Sequence, residues 1–205
     1  MNLWKSLTFW AVIFSLFLPI SPVWAHHMTG GELPNTFLAG FISGLAHPVI
    51  GLDHLASIVA VAVLRPAGIL IPIGFILSTT LGTGLHLLGL ELPFLELVIA
   101  SSVLLFGGFL LLKEQPDFLL TELLTIGAGL FHGYAYGEAI FGAETTPLIS
   151  YLVGFSLIQA GIAIGTFWVV KNLSAQSYKP IGFIICGIGF SFVFNQVIDI
   201  LLPGV

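Results

Sequence analysis

The chain has 205 residues, 57% of them hydrophobic and 7% charged, with a formal net charge of −5. Globular domains carry about 25% charged residues, so there is too little polar inventory to coat a soluble surface, and an integral membrane protein is the class that fits. One cysteine, Cys186, excludes a disulfide framework and a thiolate metal cluster; two methionines exclude a methionine-lined copper path, and without a basic patch nucleic acid is no partner.

In chain order, residues 1–25 form the first element. "MNLWK" gives a positive charge, "SLTFWAVIFSLFLP" an apolar run, and "VWA" puts Val23 and Ala25 at the −3 and −1 positions of a cleavage site. This is the signature of a cleavable signal peptide, with an uncleaved signal anchor as the alternative. Cleavage would start the mature chain, residues 26–205, at His26-His27, a pair able to capture a divalent cation or to serve only as a polar tether.

Six apolar segments follow, each near or above the roughly 20 residues a bilayer crossing needs: Phe37–Leu64, Gly68–Leu88, Leu92–Leu112, Phe118–Tyr136, Pro147–Val170 and Pro180–Leu202. The fold class expected is all-α, a single six-span membrane bundle whose short connections make neighbouring spans antiparallel. With the mature N-terminus outside, Arg65, Lys113, Lys171 and Lys179 all fall on the inner side, and Glu32, Glu91, Glu138 and Glu144 on the outer side. That distribution obeys the positive-inside rule and places both mature termini outside, across a bacterial-type inner membrane.

Ionisable residues inside spans are costly and mark function. The first segment contains "GLAHPVIGLDH", with His47, Asp53 and His54 near its middle. Pro48 lacks an N–H and Gly51 weakens the helix, so a kink or break is expected between His47 and Gly51. His86 lies in the outer half of the second span, Glu96 at the outer end of the third, and His132 in the outer half of the fourth, with Tyr136 and Glu138 beyond it. Asn195 and Asp199 lie in the outer half of the sixth. The polar groups therefore outline a funnel from the outer face to the midplane. Imidazole with carboxylate and no thiolate suits nickel, cobalt, zinc or copper(II); the same residues suit a proton relay. The expected ligands are His47, Asp53, His54, His132 and His86, supported by Glu138, Glu96, Asn195, Asp199 and Tyr136.

"HPVIGLDH" fits H-x5-D-H and "FHGYAYGE" is a second histidine–glycine segment. Together they resemble the HupE/UreJ family of nickel and cobalt permeases, and the resemblance covers the whole mature chain. It implies a metal-recognition site at His47, Asp53 and His54 with His132 and Glu138 in support. Two positions depart from the family pattern: Ala62 stands where a glycine is common, and Tyr136 where a further histidine is common, which changes the ligand count.

No GxxxxGK(S/T) phosphate loop is present, so transport would be secondary, driven by gradient or potential. The expected function is uptake of a divalent transition metal, nickel first and cobalt next, with zinc and copper left open. The metal is then substrate, no prosthetic group is implied, and the protein is not an enzyme. Two other readings stand beside it: an intramembrane zinc hydrolase, against which no H-E-x-x-H or G-x-S-x-G occurs, and a membrane metal-delivery factor that binds without transporting.

Overall fold

A computed structural model describes residues 33–64, 68–174 and 177–202. The segment expected to be a signal peptide, together with His26, His27, Glu32 and Arg65, lies outside the described residues. Within them the chain is all-helical: α1 (Phe37–Ile50), α2 (Leu52–Val63), α3 (Leu70–Leu87), α4 (Leu95–Leu111), α5 (Phe118–Glu138), α6 (Thr145–Val170) and α7 (Lys179–Leu201). The helix starts follow local chemistry. Thr36 Oγ1 accepts from Ala39 N at 3.1 Å at the head of α1, and Asp117 Oδ1 accepts from Leu120 N at 3.0 Å at the head of α5. Pro180 sits in the first turn of α7, where its missing N–H costs nothing.

Helices α3, α5, α6 and α7 are each long and apolar enough to cross a membrane. Helices α1 and α2 together form another such length, bent by 75°. Helix α4 is apolar and 17 residues long. The chain is thus built as an integral membrane protein.

The expected break in the first segment falls at Gly51. Pro48 occupies the last turn of α1, and Gly51 turns extended (φ −68°, ψ 102°) before α2 begins. A side chain on Gly51 would lie 2.6 Å from His54 Cδ2, so only glycine lets the chain turn this closely over the imidazole.

The tightest helix pairs are not sequence neighbours. Gly74 meets Glu122, Gly82 meets Leu130 and Gly137 meets His86, so α3 and α5 run parallel. Gly40 meets Pro147 and Gly44 meets Tyr151, so α1 and α6 run parallel as well. Gly182 meets Leu110 and Gly189 meets Leu104, an antiparallel pairing of α4 with α7. At Gly40, Gly44, Gly82 and Gly189 the nearest neighbour is backbone of the facing helix, the close approach by which helices associate where lipid supplies no hydrophobic drive. Helix α2 runs among these pairs, in contact with α1, α3, α4, α6 and α7. Ile58, Ala60, Val61 and Val63 are wholly buried, as a helix apolar on every side must be. The break at Gly51 therefore turns the chain from an outer helix into the centre of the bundle, and Asp53 and His54 are the first side chains to enter it.

Candidate metal site at the helix break

Four of the residues singled out by sequence, His47, Asp53, His54 and His132, are almost fully buried, at 4%, 2%, 0% and 0% exposure. The ring centroids of His47 and His54 lie 5.5 Å apart, and those of His54 and His132 5.0 Å apart. His132 and Tyr136 are one turn apart on α5 and so share a face. Tyr136 covers the histidines, 4.5 Å from His54 and 5.1 Å from His47 between centroids. Its buried hydroxyl has no hydrogen-bond partner among the described residues. Asp53, in the first turn of α2, accepts from His54 N at 2.8 Å. Its carboxylate also offsets the positive end of the α2 dipole, which would otherwise repel a cation.

The hydrogen bonds fix which ring nitrogens carry protons. Tyr151 donates its only hydroxyl proton to Tyr136 O at 2.9 Å, so at 3.1 Å from His47 Nδ1 its oxygen can only accept. His47 then bears its proton on Nδ1 and a lone pair on Nε2. Ser102 likewise donates to Ile99 O at 2.7 Å and accepts from His132 Nε2 at 3.0 Å. With Nε2 of His132 protonated, its Nδ1 is the acceptor in the 2.7 Å contact with His54 Nδ1. His54 therefore donates from Nδ1 and, like His47, presents a lone pair on Nε2. Both nitrogens of His132 are engaged, Nε2 with Ser57 Oγ at 3.0 Å as well. Sequence reading grouped His132 with the ligands; in this conformation both of its ring nitrogens are taken up by hydrogen bonds, one of them to His54.

Other residues expected at the site lie elsewhere. His86 packs edge-on against Tyr134 at 4.5 Å and Phe141 at 5.2 Å, and against Gly137. Tyr134 lies between His132 and Tyr136 in sequence and so on the opposite face of α5, which separates His86 from the histidine cluster. Glu138 is exposed at the end of α5, Asp199 is exposed on α7 and Asn195 half-buried above the same helix face. No hydrogen bond joins these three to the histidines among the described residues. Glu96 sits half-buried in the first turn of α4. Among the described residues no three His, Cys, Asp or Glu side chains converge to hold one ion in this conformation. Sequence reading missed Ser57, Ser102 and Tyr151; only Ser57, three residues after His54 and on its face of α2, had a spacing that could have revealed it.

A second layer of hydrogen bonds holds the helices around the cluster. Thr83 Oγ1 donates to Gly133 O at 2.7 Å, tying α3 to α5 beside His132. The fully buried Gln159 of α6 donates from Nε2 to Thr79 Oγ1 at 3.3 Å, tying α6 to α3. A separate recess of about 190 Å³ lies at the far end of α2, lined by Leu64, Phe167 and Lys171 among others, away from the histidines.

Comparison with known proteins agrees with the motif reading. The chain is 29% identical over 121 residues to Protein HupE of Rhizobium leguminosarum bv. viciae, a match covering 57% of this chain and 62% of that protein. The chain thus aligns with less than two thirds of the length of the curated relative. No solved structure matches it. The family described as HupE / UreJ protein matches residues 14–192, nearly the whole chain and both histidine segments, and the chain belongs to that family.

Proposed function

We propose that the chain is a secondary permease that takes up a divalent transition-metal ion, nickel first and cobalt next, through the buried site at the α1–α2 break. The observation that carries this reading is the pair of imidazoles, His47 and His54, each held by a hydrogen bond at Nδ1 so that Nε2 keeps a lone pair. Metal–nitrogen bonds of about 2.1 Å put the centroids of two imidazoles on one ion roughly 4.5–6.5 Å apart, and the observed separation is 5.5 Å. Imidazole nitrogen beside a carboxylate favours nickel, cobalt, zinc and copper over calcium or magnesium. Asp53, Tyr136 and water would fill the remaining positions as the ion sheds its hydration shell.

In this reading α1 with α2, and α3 to α7, make six crossings of a bacterial inner membrane after a cleaved signal, with both mature termini outside. The exposed carboxylates of Glu91, Glu138 and Glu144 raise the local cation concentration at the mouth, and His26-His27 adds a first capture point. An inside-negative potential favours entry of a divalent ion by about 4.6 kcal/mol per 100 mV, twice the single-charge value, so no nucleotide is needed. Movement at Pro48–Gly51 separates His47 from His54 and releases the ion inward. No step calls for catalysis.

The test is nickel accumulation in cells producing His54→Ala or Asp53→Asn protein. We expect loss of uptake with unchanged membrane levels of the protein. Undiminished uptake at normal expression refutes the assignment.

A further inference from the structure

We infer that Ser102 is a positioning residue that selects the tautomer of His54 by acting through His132. The inference rests on the reading of the cluster as an ion-binding site. Two serines stand at the same distance, 3.0 Å, from His132 Nε2, yet they are not equivalent. Ser102 has committed its proton to Ile99 O one turn back in α4, at 2.7 Å. It can therefore only accept, and it obliges His132 to carry a proton on Nε2. Ser57 has no such commitment among the described residues, so its hydroxyl can turn either way.

The polarity of the whole chain follows from that difference. His132 Nε2–H donates to Ser102, which leaves His132 Nδ1 bare. His54 Nδ1–H donates into that lone pair across 2.7 Å, which leaves His54 Nε2 bare. With Ser102 removed, Ser57 can donate to His132 Nε2. The proton of His132 then moves to Nδ1, which donates to His54 Nδ1, and the proton of His54 moves to Nε2. Both arrangements contain two hydrogen bonds along Ser57, His132 and His54, so the polarity is no longer fixed from this end and the wrong tautomer becomes populated. No charge changes and no proton leaves the chain of residues; one ligand lone pair is simply covered.

The experiment uses the full-length protein in lipid nanodiscs with ¹⁵N-labelled histidine, free of metal, because imidazole ¹⁵N shifts separate a protonated from a bare nitrogen. Nickel(II) chloride alone is then titrated by calorimetry. In the native chain His54 should read as the Nδ1–H form and His132 as the Nε2–H form. Ser102→Ala should give a clearly resolved share of His54 in the Nε2–H form, up to about half, and weaken nickel binding by up to about twofold. Ser57→Ala should leave both tautomers native, because Ser102 still sets the polarity. Ser102→Thr should restore the native pattern, since threonine in a helix also bonds the carbonyl one turn back. Retention of the native His54 tautomer in Ser102→Ala overturns the inference, as do equal losses in Ser57→Ala and Ser102→Ala. A tautomer change with nickel affinity unaltered overturns the ion-binding reading instead and leaves the role of Ser102 in setting the tautomer intact.

Discussion

Tyr151→Phe removes a single oxygen and should weaken metal affinity without touching a ligand. The phenyl ring keeps the packing against Phe155, whose centroid lies 5.8 Å away, and against His47 at 6.3 Å. What is lost is the acceptor for His47 Nδ1–H, at 3.1 Å, and the donor to Tyr136 O, at 2.9 Å. A typical net hydrogen bond contributes about 1–1.5 kcal/mol. Withdrawn from one tautomer of His47 only, that energy shifts the tautomer ratio by roughly 5- to 15-fold toward the Nε2–H form, which cannot ligate. Apparent affinity falls by the fraction of competent molecules, so the KM for nickel uptake should rise, by at most the same factor of roughly 5- to 15-fold. The maximal rate should stay near native, because excess ion pulls the population back to the competent tautomer. Initial rates of nickel uptake into proteoliposomes across a concentration series separate the two parameters. An unchanged KM, or a fall in maximal rate at constant KM, would refute the idea that Tyr151 acts by fixing the His47 tautomer.

Three further outcomes follow from the packing. Gly51→Ala puts a methyl carbon 2.6 Å from His54 Cδ2, against about 3.5–4.0 Å for ordinary carbon contact; the imidazole must yield by about 1 Å, and uptake at low nickel should drop at least about tenfold while the protein still reaches the membrane. Gly133→Ala drives a methyl into the carbonyl of Thr79, backbone that cannot swing aside, and should cost about 1–3 kcal/mol, read as a lower melting temperature in detergent; an unchanged transition would contradict the close α3–α5 approach. His86→Ala should alter nickel affinity by less than about twofold, since His86 packs on the other face of α5; a tenfold loss by calorimetry would return it to the site.

The helices themselves were legible because each is an apolar run ended by charge, proline or glycine. The expected segment Phe118–Tyr136 differs from α5 by two residues at one end, and Gly68–Leu88 from α3 by two residues and one. The break was legible for the same reason, as Pro48 and Gly51 act on their own backbone and need no tertiary context. Pairing was not legible. These helices are apolar nearly all round, so no polar face marks the side turned to lipid, and the parallel contacts of α1 with α6 and of α3 with α5 depend on where glycines on two distant segments coincide. Grouping His86 with His132 came from depth alone. Depth along a span says nothing of rotation about its axis, and rotation is what separates Tyr134 from Tyr136. Ser57 and Ser102 escaped notice because a lone small hydroxyl in an apolar helix has the look of packing filler.

The motif reading treated His47, Asp53, His54 and His132 as equal candidates, whereas the hydrogen bonds divide them by role. A ligating histidine almost always donates its other N–H to a partner, and here two different partners stand ready to accept. His47 is held by Tyr151 of α6, while His54 is held by His132 of α5. His47 belongs to α1 and His54 to α2, on opposite sides of the 75° bend. The two lone pairs are therefore anchored to separate helix pairs, α1 with α6 and α3 with α5, which are joined by the backbone at Pro48–Gly51 and by the hydrogen bonds of Tyr151 to Tyr136 O and of Gln159 to Thr79. Relative movement of those pairs changes the distance between the two nitrogens; His54 keeps its holder on α5, while a movement large enough to break the bond of Tyr151 to Tyr136 O also frees the proton that fixes the His47 tautomer. In the proposed permease, a site arranged in this way lets an ion go by drawing the two imidazoles apart, with the loss of the Tyr151 bond weakening His47 as a ligand at the same moment. Cross-linking α6 to α3, the helices through which the two pairs touch, by a cysteine pair should therefore leave nickel binding intact and abolish uptake. Normal transport through the locked protein would show that the break is a fixed feature of the site and plays no part in release.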